Sequence, residues 1–231
     1  MINGIYTATS GLLLSYEQQN IYTNNFANLS TSGYKELNAA VVSNDFNDFS
    51  SIYIEQIWNK NDIGNFVQTN NPLDFAIASP DCYFVVQGPL GQILTRNSTF
   101  YRSNIGTLVD GNGNALLGER GIIRIPDNVS NIQVSNDGVI YADYQEIDKI
   151  QIVSINNQQS IKRIELSSSY QIENRDGIRQ SNSWILQGYK EQANVDIYNQ
   201  QIKMLLGLRY SDFLHRIVRM TSDIIQLSTR A

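Results

Sequence analysis

Large apolar side chains recur every three or four residues at both ends of the chain and lose that period in between. At the N-terminal end Ile2, Ile5, Leu12, Tyr16 and Phe26 mark the repeat, and Thr9, Gln19 and Thr23 fill its other places. This spacing predicts a helix over 2–29. Tyr6, Leu13, Leu14, Ile21 and Tyr22 lie off that row, and Glu17 is the only charged side chain, so almost no face suits water. Towards the C-terminus Val195, Tyr198, Ile202, Leu206, Tyr210, Phe213, Ile217, Met220, Ile224 and Leu227 follow at the same intervals, disturbed only by Gly207. Lys203, Arg209, Asp212, Arg216, Arg219 and Asp223 occupy the other face. The pattern predicts a long amphipathic helix with a heptad-like seam.

From about residue 36 to 187 short alternating stretches replace the helical period. Ile122–Ile125, Val139–Tyr141 and Ile150–Val153 read as strands. Asp110-Gly111, Asn136-Asp137-Gly138 and Asp176-Gly177 read as turns. The predicted fold is therefore α+β. Residues 1–35 and 188–231 form a discontinuous, coiled-coil-like helical domain, and 36–187 an inserted mainly-β domain of barrel or sandwich type.

Composition sharpens the picture. Charged residues make up only 17% of the chain, and amides, serines and tyrosines take their place, as suits a surface packed against neighbours. A net charge of -5 gives no basic footprint for nucleic acid. No Lys or Arg precedes Lys35, so the short Leu12-Leu13-Leu14 run lacks the flank of a cleavable signal peptide. No segment reaches the ~20 apolar residues that span a bilayer. Cys82 is the only cysteine, which excludes an internal disulfide. Two helices pairing alone bury one face each, whereas stacking among several copies buries the rest. Polymerisation is the expected consequence, with frayed ends in a lone copy.

Candidate chemistry changes little. Asp110-Gly111-Asn112-Gly113-Asn114 spaces oxygen donors like a calcium loop, but Ala115 and Gly121 stand where that loop needs Gly and Glu, which favours a hairpin turn. Gly111, Gly113 and Gly118 miss the spacing of a phosphate loop. His215, the only histidine, has no second ligand nearby and reads as a helix-surface residue. The carboxylate pairs Glu146/Asp148 and Asp45/Asp48 read as facing solvent. No nucleophile is marked, and no enzyme, cofactor, metal or small-molecule substrate is expected.

One block remains. Asn24, Asn25, Ala27, Asn28, Thr31, Gly33, Tyr34 and Lys35 crowd amides at a helix end and close on a glycine, read as the helix stop. This block resembles the signature of the bacterial flagellar rod and hook proteins. The resemblance continues through Ile5–Gly11, Asn71-Pro72-Leu73-Asp74-Phe75-Ala76-Ile77, Thr95-Arg96 with Phe100, Gly106-Thr107-Leu108-Val109, and Gln187-Gly188 with Glu191, Asn194 and Val195. Leu117-Gly118-Glu119-Arg120-Gly121 is most like the proximal rod branch, with the distal rod branch next. Ser79–Cys82 and Ser98 depart from the pattern where the family has glycines, and Tyr210 follows Arg209 with no Glu after it.

The resemblance implies a structural subunit of the basal-body rod, crossing the periplasm as part of a hollow shaft that carries torque to the hook. Its partners would be other rod subunits and the flagellar type III export apparatus. The helical seams named above would form the assembly interface. Another rod or hook axial protein is the nearest alternative. A secreted β-domain adhesin, oligomerising through its end helices and presenting Tyr83, Phe84, Phe100 and Tyr101, is a further one.

Overall fold

The computed structural model describes residues 2–46, 49–127, 129–156, 160–164 and 167–230, without the side chains of 2, 3, 45, 46, 49, 50 and 227–230. Two helices, α1 (Ile2–Ala27) and α2 (Ile197–Arg230), bracket a mainly-β middle, which gives the α+β class with terminal helices. The largest sheet has ten strands in an open, branched order, and no sheet closes into a barrel among the described residues. The chain falls into two compact units: Met1–Ala27, Glu36–Lys60 and Val195–Ala231 in one, Asn28–Lys35 and Asn61–Asn194 in the other.

In the helical unit α1 and α2 run antiparallel. Gln19 Nε2 donates to the Met204 carbonyl (2.9 Å) and Ser15 Oγ to the Gly207 carbonyl (3.3 Å). Leu214 packs where a Cβ on Gly11 would meet its methyl at 3.1 Å. Small and polar groups therefore line the contact, which lets the two backbones approach closely. Both termini are continuous helices in a single copy, so the expectation of frayed ends becomes a question of their stability.

A hairpin of β1 (Leu37–Phe46) and β2 (Phe49–Asn59) completes this unit, with a bulge between Ala40 and Val41. The division thus differs from the expected one, which put these residues in the β domain. The reason lies in their contacts. Asn25 exchanges two hydrogen bonds with the Leu37 backbone (2.9 and 2.8 Å), Gln200 Nε2 donates to Glu36 (2.6 Å), and β2 packs along α1.

The helix ends have local causes. Asp196 caps α2, accepting from the Asn199 backbone N–H at 3.1 Å. α1 stops at Ala27, six residues before Gly33, and Thr31 then donates from both its backbone N–H and its hydroxyl to Asn28 (both 3.0 Å). Gly33 is therefore not the helix stop that the sequence suggested. Its φ of 67° is left-handed, but a Cβ there would collide with the Arg96 carbonyl, so glycine serves a close approach within the β unit.

That unit follows β3 (Phe66–Gln68), β4 (Phe75–Ile77), β5 (Cys82–Gly88) and β6 (Gly91–Thr95) with thirteen further strands among the described residues. β5 carries both cores. Cys82, Phe84 and Val86 point into one cluster with Phe75, Phe100 and Ile152, while Tyr83 and Val85 point into a second with Leu94, Val153 and Tyr170. A strand buried on both faces reads as a continuous apolar run.

Among the sequence-derived strands, Val139–Ala142 matches, Ile122–Ile125 shortens to Gly121–Ile122 plus a lone bridge at Arg124, and Ile150–Val153 shifts to Ile152–Ile155. Asp176-Gly177 turns the chain towards the strand Ile178–Gln180, which pairs with Ile152–Ile155 rather than with the preceding strand.

Candidate assembly interface

The signature block divides between the two units, and each part has its own task. In the helical unit the buried Asn25 side chain supplies one donor and one acceptor to the Leu37 backbone at the start of β1, as a neighbouring strand would. Neutral amides do this without needing a counter-charge. Asn24 is half-buried and Ala27 exposed.

In the β unit Tyr34 and Lys35 are fully buried, and Glu191 is 1% exposed. The Glu191 carboxylate accepts from Lys35 Nζ (2.7 Å), the Gly64 backbone N–H (3.1 Å), and Nε (3.0 Å) and Nη2 of Arg96. Its backbone is held as well: the N–H donates to Ser98 Oγ (3.1 Å), and the carbonyl accepts from the Gly33 N–H (2.9 Å) and Ser32 Oγ (3.2 Å). Arg96 also donates from Nη1 to the carbonyls of Ser79 and Cys82. Three distant blocks, around Lys35, Arg96 and Glu191, thus meet in one buried ionic cluster. Arg163 stacks over the Tyr34 ring at 4.4 Å and donates to the Lys35 carbonyl.

Two cations share one carboxylate in this cluster. Burial and the neighbouring Arg96 hold the Lys35 ammonium below the usual lysine pKa, against the opposing pull of Glu191. Each charge keeps hydrogen-bonded partners, the condition under which charges tolerate burial. The sequence blocks contained all three residues, but their pairing was not legible, because separations of 95 and 156 residues leave no local signal. The cluster also explains one departure from the family pattern. Ser98, standing where the family has glycine, accepts from the Glu191 N–H on its Oγ and donates from its own N–H to the Ser32 hydroxyl oxygen (3.1 Å).

The helical seams behave differently. On α2 Tyr198, Ile202, Leu206, Tyr210, Phe213, Met220 and Ile224 are exposed and Ile217 is half-buried, while Leu214 faces α1. Val195 precedes the helix. On α1 Tyr16 and Phe26 are exposed, Ile5 is half-buried and Leu12 is buried. The side chains of Ile2 and Leu227 lie outside the described residues.

His215 is exposed on α2, 3.2 Å from the Tyr16 hydroxyl. Asp110 closes a hairpin turn by accepting from the N–H groups of Asn112 and Asn114 (both 2.9 Å). Asp148 corrects the sequence reading. Glu146 does face solvent, but Asp148 is buried, accepting from the backbone N–H groups of Arg120 and Lys149 beside Gly118. It fastens the two-residue hairpin turn of Leu117–Gly121, in which Gly118 pairs with Gly121. Asp48 and the side chain of Asp45 lie outside the described residues. Tyr83, Phe84 and Phe100 are core residues, and only Tyr101 is exposed, so no aromatic row supports an adhesin.

A helix pair with apolar rows turned outward, and a β unit whose polar cluster is sealed inside, are features that suit a structural subunit. Comparison with known proteins agrees. Residues 5–35 match the family model described as flagella basal body rod protein, and residues 78–142 the model of the flagellar hook protein FlgE/F/G D1 domain. The flagellar basal-body rod protein FlgF of Buchnera aphidicola subsp. Baizongia pistaciae is 27% identical, over 100% of this chain and 96% of that one. FlgG of Buchnera aphidicola subsp. Schizaphis graminum and the hook-basal body complex protein FlhP of Bacillus subtilis are each 23% identical, over 98% of both partners. These matches support the flagellar basal-body rod family, a family of structural components of the flagellum. No helix among the described residues is long and apolar enough to cross a membrane.

Proposed function

We propose that this chain polymerises, with copies of itself and with adjoining axial subunits, into the hollow rod that crosses the periplasm and carries torque from motor to hook. One observation carries the reading. Fourteen large apolar side chains among the described residues of α1 and α2, from Tyr6 to Ile224, are 40% to 78% exposed in a single copy. Burying one such side chain stabilises by ~1.5–3 kcal/mol, so a neighbour that covers several of them gains heavily. The seams then act as coiled-coil-like contacts between subunits.

Loosely held helices suit passage through the flagellar type III export channel, and no cleavable signal peptide is needed on that route. The Leu117–Gly121 hairpin favours the proximal part of the rod.

The test is electron microscopy and sedimentation of the purified chain over a range of concentrations. The wild type forms tubes or rod segments, and the double variant Phe213→Glu, Met220→Glu stays dispersed with an unchanged β unit. A double variant that polymerises like the wild type would sink the reading.

A further inference from the structure

Charge in the helical unit is sorted by element. α1 and the hairpin carry Glu17, Asp45, Asp48 and Glu55 and no Lys or Arg. α2 carries Lys203, Arg209, Arg216, Arg219 and Arg230 against Asp212 and Asp223. A single copy leaves this sorting largely unused. Glu17, Glu55, Arg209 and Arg216 are all exposed, and none forms an ion pair within the described residues.

Shape follows charge. α1 and β2 border an open cleft of about 640 Å³, with Ile21, Ile54 and Ile57 among its apolar walls and Glu17 and Glu55 on its rim. No α2 residue lines it. On α2, Arg209, Phe213, Arg216 and Met220 succeed one another at intervals of four, three and four, which places them on one ridge. All four are exposed, on a different face from Leu214, the residue packed against α1. The ridge alternates cationic and apolar side chains, while the cleft offers carboxylates around an apolar wall.

We infer that the α2 ridge of one copy docks in the α1–β2 cleft of a second copy. Phe213 and Met220 meet Ile54 and Ile57, and Arg209 and Arg216 meet Glu17 and Glu55. The two surfaces are different patches, so the contact is heterologous, and each copy keeps one free ridge and one free cleft. Such a contact propagates into an open chain instead of closing as a dimer. The inference rests on the polymerisation reading and adds to it the pair of surfaces and the order of copies.

Charge exchange tests it on the full chain by sedimentation velocity and electron microscopy at low ionic strength, where surface charges are least screened. The cleft variant is E17R/E55R and the ridge variant R209E/R216E. All four positions are exposed, and unchanged thermal melting of both variants checks the fold. Each variant alone should need about tenfold more protein to assemble than the wild type. An equimolar mixture should assemble at the wild-type concentration, because every ridge then meets a cleft of opposite charge.

Variants that assemble like the wild type overturn this contact and leave polymerisation standing. Variants that fail alone and also fail as a mixture overturn it too. A wild-type chain that stays single at every concentration overturns both readings. One that is captured only by a different axial subunit overturns the assignment of the second copy.

Discussion

Glu191 has four donors on its carboxylate and three bonds on its backbone, so its replacement strands several groups at once. Glu191→Gln leaves Lys35 and Arg96 as buried cations without a counter-charge, and should cost the β unit ~3–5 kcal/mol in urea denaturation. Gly33→Ala adds a methyl group against the Arg96 carbonyl at a left-handed φ, and should cost ~2 kcal/mol or more in the same measurement. The cluster also sets an alkaline signature. The folded Lys35 releases its proton below the usual 10.5, so in that window the unfolded chain binds more protons and this group's contribution to stability rises with pH. Tyr83 and Tyr170 act in the opposite sense. Burial raises both phenols above the usual 10.0, so the folded state keeps protons that the unfolded state sheds, and stability falls once pH passes 10. Thermal melting against pH should rise towards pH 10 and turn over beyond it, and Lys35→Met should lose the rise while keeping the fall. A profile in which Lys35→Met retains the rise would exclude Lys35 as its source.

At the scale of the element, α2 presents two faces that adjacent residues separate. Leu214 is buried against Gly11, whereas Phe213 is 59% exposed. Leu214→Ala should therefore destabilise the single chain by ~2–3 kcal/mol, and Phe213→Ala by less than ~0.5 kcal/mol, as urea titration of dilute protein would show. Assembly should rank them in reverse, with Phe213→Ala the more damaging in sedimentation. This reversal follows from what periodicity conveys. The 3–4 repeat located both helices to within about three residues, because apolar spacing is a local property of sequence. The repeat was silent on partners. The stripe that faces α1 includes Gly207 and Leu214 and is bonded by Ser15 and Gln19, a set too small and polar to register as apolar. The hairpin Leu37–Asn59 was assigned to the β domain for a similar reason. Its alternation marks strands but not the neighbour they pack on, and Asn25 and Gln200 decided that. Within the β unit, Asp148 was misplaced because a carboxylate buried on backbone N–H groups looks, in sequence, like any other.

For the whole molecule, the two units contrast in how they are held. The β unit buries two apolar clusters and an ionic cluster within one chain, and is complete by itself. The helical unit buries few large side chains between its helices and leaves its apolar rows outside. Its stability should then depend on neighbours, which cover those rows by mass action. Hydrogen–deuterium exchange, resolved by segment and compared between dilute and assembled protein, tests this directly. Amides of α1 and α2 should exchange rapidly in the dilute chain and slow by two orders of magnitude or more on assembly, while the strands Cys82–Gly88 and Ile152–Ile155 stay protected in both. Equal protection of both helices in the dilute and assembled samples would contradict the account.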